Sequence, residues 1–267
     1  MKILVTFLCF WFGLQMATAQ TYYVTFIKGK VQNSSKKDLK VGDALKPEDK
    51  LYFSDQSAKV TCISSEKGRY EISMGKDNKT SVSGELIAVL KNKLIPLSGT
   101  YKLSSRSIHT DGNNPVTYFS SNQTANRIVL ILDQPILISN NYPLSGNNIF
   151  FLQINHGNDQ TLERLQKKDQ SIFFTAENTK VLAPGETVDL CFATTVNGKP
   201  SSRKLSSFIP VFMTADELKT QIKLFKTLYP KDEKALKTAL TDHFYESIGK
   251  IDESILSNYI NLSNQIK

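Results

Sequence analysis

Three histidines, His109, His156 and His243, are the natural proton-transfer groups of this 267-residue chain. His109 lies in Ile108-His109-Thr110-Asp111-Gly112 and His156 in Asn155-His156-Gly157-Asn158, and both read as loop residues. His243 falls on a helical pattern beside Phe244, at the border of its apolar stripe. A serine hydrolase needs a nucleophile, a base and an orienting acid. No Gly-x-Ser-x-Gly elbow supplies the first. A cysteine nucleophile would have to be Cys62 or Cys191, because Cys9 sits in an N-terminal apolar run. Cys62 shares one alternating face with Ala58 and Val60 and reads as a small core residue. Cys191 falls on the face opposite Val188, Leu190 and Phe192. No Cys-x-x-Cys motif is present, and a Cys62–Cys191 bridge stays open, since it needs Cα atoms within about 7 Å.

Metal chemistry has no more support. His-x-x-x-His, His-Glu-x-x-His and calcium-loop patterns are all absent. The carboxylate pairs Glu48/Asp49, Asp216/Glu217 and Asp232/Glu233 are explained by one turn and two helix starts. Gly29, Gly68 and Gly198 are isolated turn residues that form no phosphate loop. The sequence therefore assigns no catalytic, cofactor-binding or metal-ligating residue, and the chain is expected not to be an enzyme. Its binding residues are not defined at this level.

The segments that would position any site begin with a leader. Lys2 precedes an uncharged apolar run, Ile3 to Met16, and Ala17-Thr18-Ala19 forms a small-x-small cleavage site. This predicts a signal peptide over residues 1–19 and an exported, periplasmic or secreted product. The run is shorter than the roughly 20 residues a spanning helix needs. No second such run occurs, so no transmembrane segment is expected after cleavage. The composition, 40% hydrophobic and 22% charged with 13 Gly and 9 Pro, excludes collagen, low-complexity and disordered classes.

Charge is unevenly placed. Of the formal net charge of +8, residues 20–110 carry +7, while 111–212 and 213–267 are each neutral. A basic first third reads as a face for an anionic partner, either a protein or an envelope component. The longest basic run is Lys36-Lys37, so no polybasic tail points to nucleic acid.

Hydrophobic periodicity divides the chain into three parts. Residues 20–110 alternate in short runs, including Tyr22 to Ile27, Leu51 to Phe53, Ala58 to Ile63 and Arg69 to Ser73, with Tyr70 and Ile72 inward. Further strands are expected over Glu85 to Leu90, Lys93 to Leu97 and Tyr101 to Leu103. This is the pattern of a small β-barrel or sandwich. Residues 105–126 are polar and read as a linker, with Asp111-Gly112-Asn113-Asn114-Pro115 as its turn. Residues 111–212 hold six or more strands and predict a β-sandwich-like module, with Leu205 to Phe212 placed at an edge by Pro210. Residues 213–267 change to a helical period. Thr214-Ala215-Asp216-Glu217 is a capping box, followed by the stripe Leu218, Ile222, Phe225 and Tyr229. A second helix carries Leu236, Leu240, Phe244 and Ile248 and stops at Gly249. Asp252 opens a third, with Ile255, Tyr259, Leu262 and Ile266 in line. The expected class is mostly β, α+β overall, with three short C-terminal helices.

A set of motifs in the first part resembles the FecR-like periplasmic β module. Gly29-Lys30-Val31, Leu39-Lys40-Val41-Gly42-Asp43-Ala44-Leu45, Leu51-Tyr52-Phe53, Ala58 to Cys62 and Gly68-Arg69-Tyr70-Glu71-Ile72 fill its successive places. Pro47-Glu48-Asp49 departs from it where the family commonly has glycine. The resemblance covers about residues 27–73 and implies a location in the envelope of a gram-negative bacterium and a small β architecture, with no established activity. The resulting expectation is an exported, non-enzymatic binding or scaffold protein whose basic N-terminal module is the interaction surface. A FecR-like sensor that contacts a membrane partner is the alternative, and a hydrolase with an unrecognised site is the lesser one.

Overall fold

The structure is a computed structural model that describes residues 21–55, 57–64, 68–73, 86–89, 94–96, 108, 113–120, 126–157, 159–183, 185–196 and 198–265. The leader, His109 and the expected Tyr101 to Leu103 strand lie outside the described residues. The protein is mostly β with several open sheets and a few C-terminal helices. It divides into two compact units, Met1–Ser98 and Gly99–Lys267.

The first unit contains β1 (Tyr22–Lys28), β2 (Val31–Gln32), β3 (Ala44–Leu45), β4 (Lys50–Phe53), β5 (Lys59–Ser64), β6 (Gly68–Ser73), β7 (Leu86–Val89) and β8 (Leu94–Pro96). They form a five-stranded sheet, β3-β1-β5-β6-β8, and a three-stranded sheet, β2-β4-β7. Every pairing is antiparallel, and neither sheet closes into a barrel. The barrel alternative is thus replaced by two open sheets, because the strands split into separate ladders. Val24, Leu51, Phe53, Val60, Cys62, Tyr70 and Ile72 share one core, as their alternation predicts. Strand β5 goes beyond alternation. Thr61, Ile63 and Ser64 are buried as well, and the Thr25 hydroxyl donates to the Thr61 carbonyl at 3.1 Å. Gly29 has φ 75°, and a Cβ there would lie 2.8 Å from the Ala58 Cβ, so the β1–β2 turn needs glycine on both counts.

In the second unit, α1 (Pro115–Phe119) precedes β9 (Arg127–Ile131), β10 (Ile136–Leu137), β11 (Ile149–His156), β12 (Asp159–Arg164), β13 (Gln166–Lys168) and β14 (Ser171–Phe173). Then come α2 (Ala176–Lys180), β15 (Val188–Val196), β16 (Lys199–Met213), α3 (Ala215–Leu228), α4 (Glu233–His243) and α5 (Glu253–Gln265). Strands β12-β11-β15-β16-β9 make one sheet and β10-β14-β13 another. Leu152 and Leu190 of the larger sheet and Ile136 and Ile172 of the smaller share a core, which gives the sandwich-like arrangement. Helix α1 corrects the linker reading of residues 105–126. The Asn114 side chain accepts from the Val116 N–H at 3.0 Å, Pro115 suits the first helical position, and Tyr118 and Phe119 turn into the core. Ile108 belongs to that core too, so this unit begins upstream of the Asp111–Pro115 turn.

Strand β16 changes neighbours along its length. It pairs antiparallel with β15 up to Phe208 and parallel with β9 from Ile209 onward. Pro210 therefore stands in an internal strand at a position with a single neighbour, where a missing N–H is tolerated.

Helix α3 starts with the predicted box. The Glu217 N–H donates to Thr214 Oγ1 at 3.2 Å, and the Thr214 N–H donates to Glu217 Oε2 at 2.7 Å. Leu218, Ile222 and Phe225 are buried, as are Leu236, Leu240, Phe244 and Ile248 after them. Helix α4 runs into a π-type turn over Phe244–Ile248, closed by the Gly249 N–H on the Phe244 carbonyl at 2.7 Å. Lys250 then adds to the free edge of β9. Its N–H donates to the Arg127 carbonyl, and its carbonyl accepts from the Val129 N–H, both at 2.8 Å. A Cβ on Gly249 would lie 2.9 Å from the Arg127 carbonyl oxygen, so this crossing admits only glycine. The expected stripe of α5 is rotated. Leu256 and Ile260 are buried, Ile255 and Tyr259 are half-buried and Leu262 is exposed, while Ile266 lies outside the described residues. The rotation follows from Asp252, which caps the helix while Ile251 and Asp252 pair with Ile108.

Candidate interaction surface

The lysine-rich part of the first unit is the β2–β3 and β3–β4 loops. In the first loop the Asn33 side chain accepts from the Ser35 N–H at 3.0 Å and the Lys37 N–H at 3.2 Å. Lys36 takes φ 59° at the tip, and its ammonium rests 3.5 Å from the centre of the Tyr52 ring. Further on, Asp43 Oδ2 accepts from the Lys40 N–H at 2.9 Å, and Asp49 Oδ2 accepts from the Lys46 N–H at 2.8 Å. Each carboxylate thus shapes its own turn and presents a lysine at that turn's start. Lys28, Lys30, Lys36, Lys37, Lys40, Lys46 and Lys50 are all exposed. Lys30 lies 3.8 Å from Asp38, whereas Lys37, Lys40 and Lys46 make no ion pair among the described residues.

The two loops meet around an open cleft of about 320 Å³ lined by Asn33, Ser34, Ser35, Asp43 and Asp49, with the buried Leu39 and Leu45. Ser34 Oγ ties the loops together through Lys50, at 3.3 Å from both its N–H and its carbonyl. No histidine or cysteine lines this cleft. What the arrangement can do is hold charge in fixed places, with ammonium groups outside and polar groups within.

The residues singled out for chemistry lie elsewhere. Burial pushes the Cys62 thiol up to about 12, which makes it a poor nucleophile. Cys191 is raised as well, first by burial and then by Asp189, and both cysteines are free thiols. His156 ends β11, in the second unit. His243 lies fully inside the helical layer rather than at its border, with its ring centre 5.1 Å from Phe225 and 5.8 Å from Phe244. A helix carries both i+3 and i+4 from Leu240 inward, so His243 and Phe244 are buried together. The carboxylate pairs serve as turn and cap groups. Asp216 meets Lys219 at 3.0 Å, and Asp232 accepts from the Ala235 N–H at 2.8 Å. Among the described residues no three His, Cys, Asp or Glu side chains gather as a metal site. No described helix is long and apolar enough to cross a membrane.

Two polar anchors escaped the sequence reading. The Lys167 ammonium donates to the carbonyls of Leu144, Gly146 and Asn148 at 2.8, 3.0 and 2.8 Å and fixes that turn. Tyr118 donates to the buried Asp252. Burial first, then the charge of Asp252, pushes the phenol well above its ordinary range. Both depend on acceptors distant in sequence, and no local pattern marks them. Comparison with family models, with curated proteins and with solved structures returned no match to this chain.

Proposed function

We propose that this chain is an exported, non-enzymatic binding or scaffold protein of the cell envelope. Its N-terminal unit would recognise an anionic partner, a protein or an envelope component, through the lysines of the two loops. The observation that carries the reading is the placement of Lys37, Lys40 and Lys46 on turns fixed by Asn33, Asp43 and Asp49, where they are exposed and have no ion pair among the described residues. Pre-shaped loops lower the ordering cost of binding. The leader and the FecR-like motifs support the envelope location.

The test is capture from envelope extract at low and high salt, using the purified chain and two charge-reversed variants. One variant carries Lys37→Glu, Lys40→Glu and Lys46→Glu. The other carries Lys168→Glu and Lys199→Glu in the second unit. The first should lose capture about tenfold or more, as should high salt, and the second should not. Equal capture by both variants, or capture indifferent to salt, overturns the proposal.

A further inference from the structure

The two edges of the larger sheet in the second unit are treated differently. The β9 edge is closed by Lys250. The β12 edge is open: among the described residues, no backbone group of Asp159–Arg164 bonds outside the β11–β12 ladder. An open edge is a template for another strand, and proteins usually blunt it with charged side chains, lysine above all, with proline or with a bulge. Strand β12, Asp159-Gln160-Thr161-Leu162-Glu163-Arg164, carries charge at Asp159, Glu163 and Arg164 but has no lysine, proline or bulge, and its register with β11 is unbroken. It also presents Leu162, 59% exposed, on the same face as Gln160 and Arg164.

We infer that β12 is a self-pairing edge and that a second copy of this chain adds to it antiparallel, about a two-fold axis at Leu162. Such an axis stands perpendicular to the sheet, so only registers that pair residues of like facing are allowed. Centred on Leu162, the strand sets Leu162 against the partner's Leu162. Gln160 then faces the partner's Arg164, and Thr161 faces the partner's Glu163. Each polar group meets a hydrogen-bonding group, no like charges oppose, and the exposed leucine is covered. Centring on Thr161 sets Asp159 against the partner's Glu163 on both sides of the axis. Centring on Glu163 sets two carboxylates face to face. Of the registers centred on Thr161, Leu162 and Glu163, the one on Leu162 alone opposes no like charges and covers Leu162 with its own copy, and it joins two five-stranded sheets into one of ten.

Sedimentation of the full chain over a wide concentration range tests this. The expected result is a reversible monomer–dimer equilibrium. Leu162→Lys places two ammonium groups across the axis and should abolish the dimer. Gln160→Glu faces the partner's Arg164 and should tighten it about threefold or more. Leu162→Cys should crosslink as a dimer under mild oxidation, whereas Asp159→Cys should not, because that position faces no copy of itself. A chain that stays monomeric at the highest concentration, with Gln160→Glu monomeric too, overturns the inference. So does a dimer that persists in Leu162→Lys.

Discussion

The first unit holds its core with small and aliphatic side chains, among them Val24, Ala58, Val60, Cys62 and Ile72, together with Phe53 and the aromatic pair of Tyr22 and Tyr70, with centroids 5.5 Å apart. In the second unit, Phe119 alone meets Tyr118 at 4.7 Å, Phe208 at 4.9 Å and Phe174 at 6.0 Å. Phe150, Phe192 and Tyr142 extend the aromatic layer. Charge follows the opposite order, since residues 20–98 hold 14 Lys+Arg against 9 Asp+Glu, whereas residues 99–267 hold 18 against 16. Where the core is built from large rings, the charge is nearly balanced. Where the core is built mostly from aliphatic side chains, lysine is in excess and is displayed on loops. The contrast separates the work of holding a shape from that of displaying charge.

The strongest way to break this comparison is Phe119→Ala. Phe119 is fully buried, and removing a buried phenylalanine costs about 3–5 kcal/mol. Calorimetry should show the transition of the second unit falling while that of the first stays in place. A shared fall would mean that the two units melt as one. Gly249→Ala comes next. Its Cβ meets backbone at 2.9 Å, and overpacking of this kind costs about 1–3 kcal/mol, again in the second unit alone. Hydrogen exchange at Lys250 and Val129 should rise in this variant, because their hydrogen bonds form at that crossing.

The smallest effect belongs to the first unit and depends on pH. The Cys62 thiol rises from 9.0 to about 12 on folding, so the folded state keeps a proton that the unfolded chain releases. Stability from this group is complete below pH 9 and is lost progressively as pH rises towards 12. At pH 10 the loss is about 1.4 kcal/mol. Urea unfolding at pH 8 and pH 10 should show a smaller alkaline loss in Cys62→Ala than in the unaltered chain. An identical loss would remove Cys62 as its source.

Much of the fold is legible in residue pattern. The alternation around Val60, Cys62, Tyr70 and Ile72, the Thr214–Glu217 box and the Leu218–Ile222–Phe225 stripe are local signals, and local geometry obeys them. What is illegible depends on partners far along the chain. The rotation of α5 is set by Asp252 and Ile108, and the tolerance of Pro210 by a change of neighbour that no window of β16 contains. The candidate surface is half legible. Its charge can be counted in the sequence, but the turns that fix Lys37, Lys40 and Lys46 come from side-chain bonds of Asn33, Asp43 and Asp49.

The short pairing of Lys250 with β9 also sets an order in time. Among the described residues every strand pairing of the first unit lies between Tyr22 and Pro96, so these ladders can form once that stretch has been synthesised. In the second unit, Ile128 waits for Lys250 and Ile108 for Asp252, across roughly 120 residues or more of intervening chain, and such distant closures are slow. Until Lys250 arrives, the outer edge of β9 remains an open strand on a growing polypeptide. The basic unit can therefore complete its sheets while the aromatic unit is still incomplete.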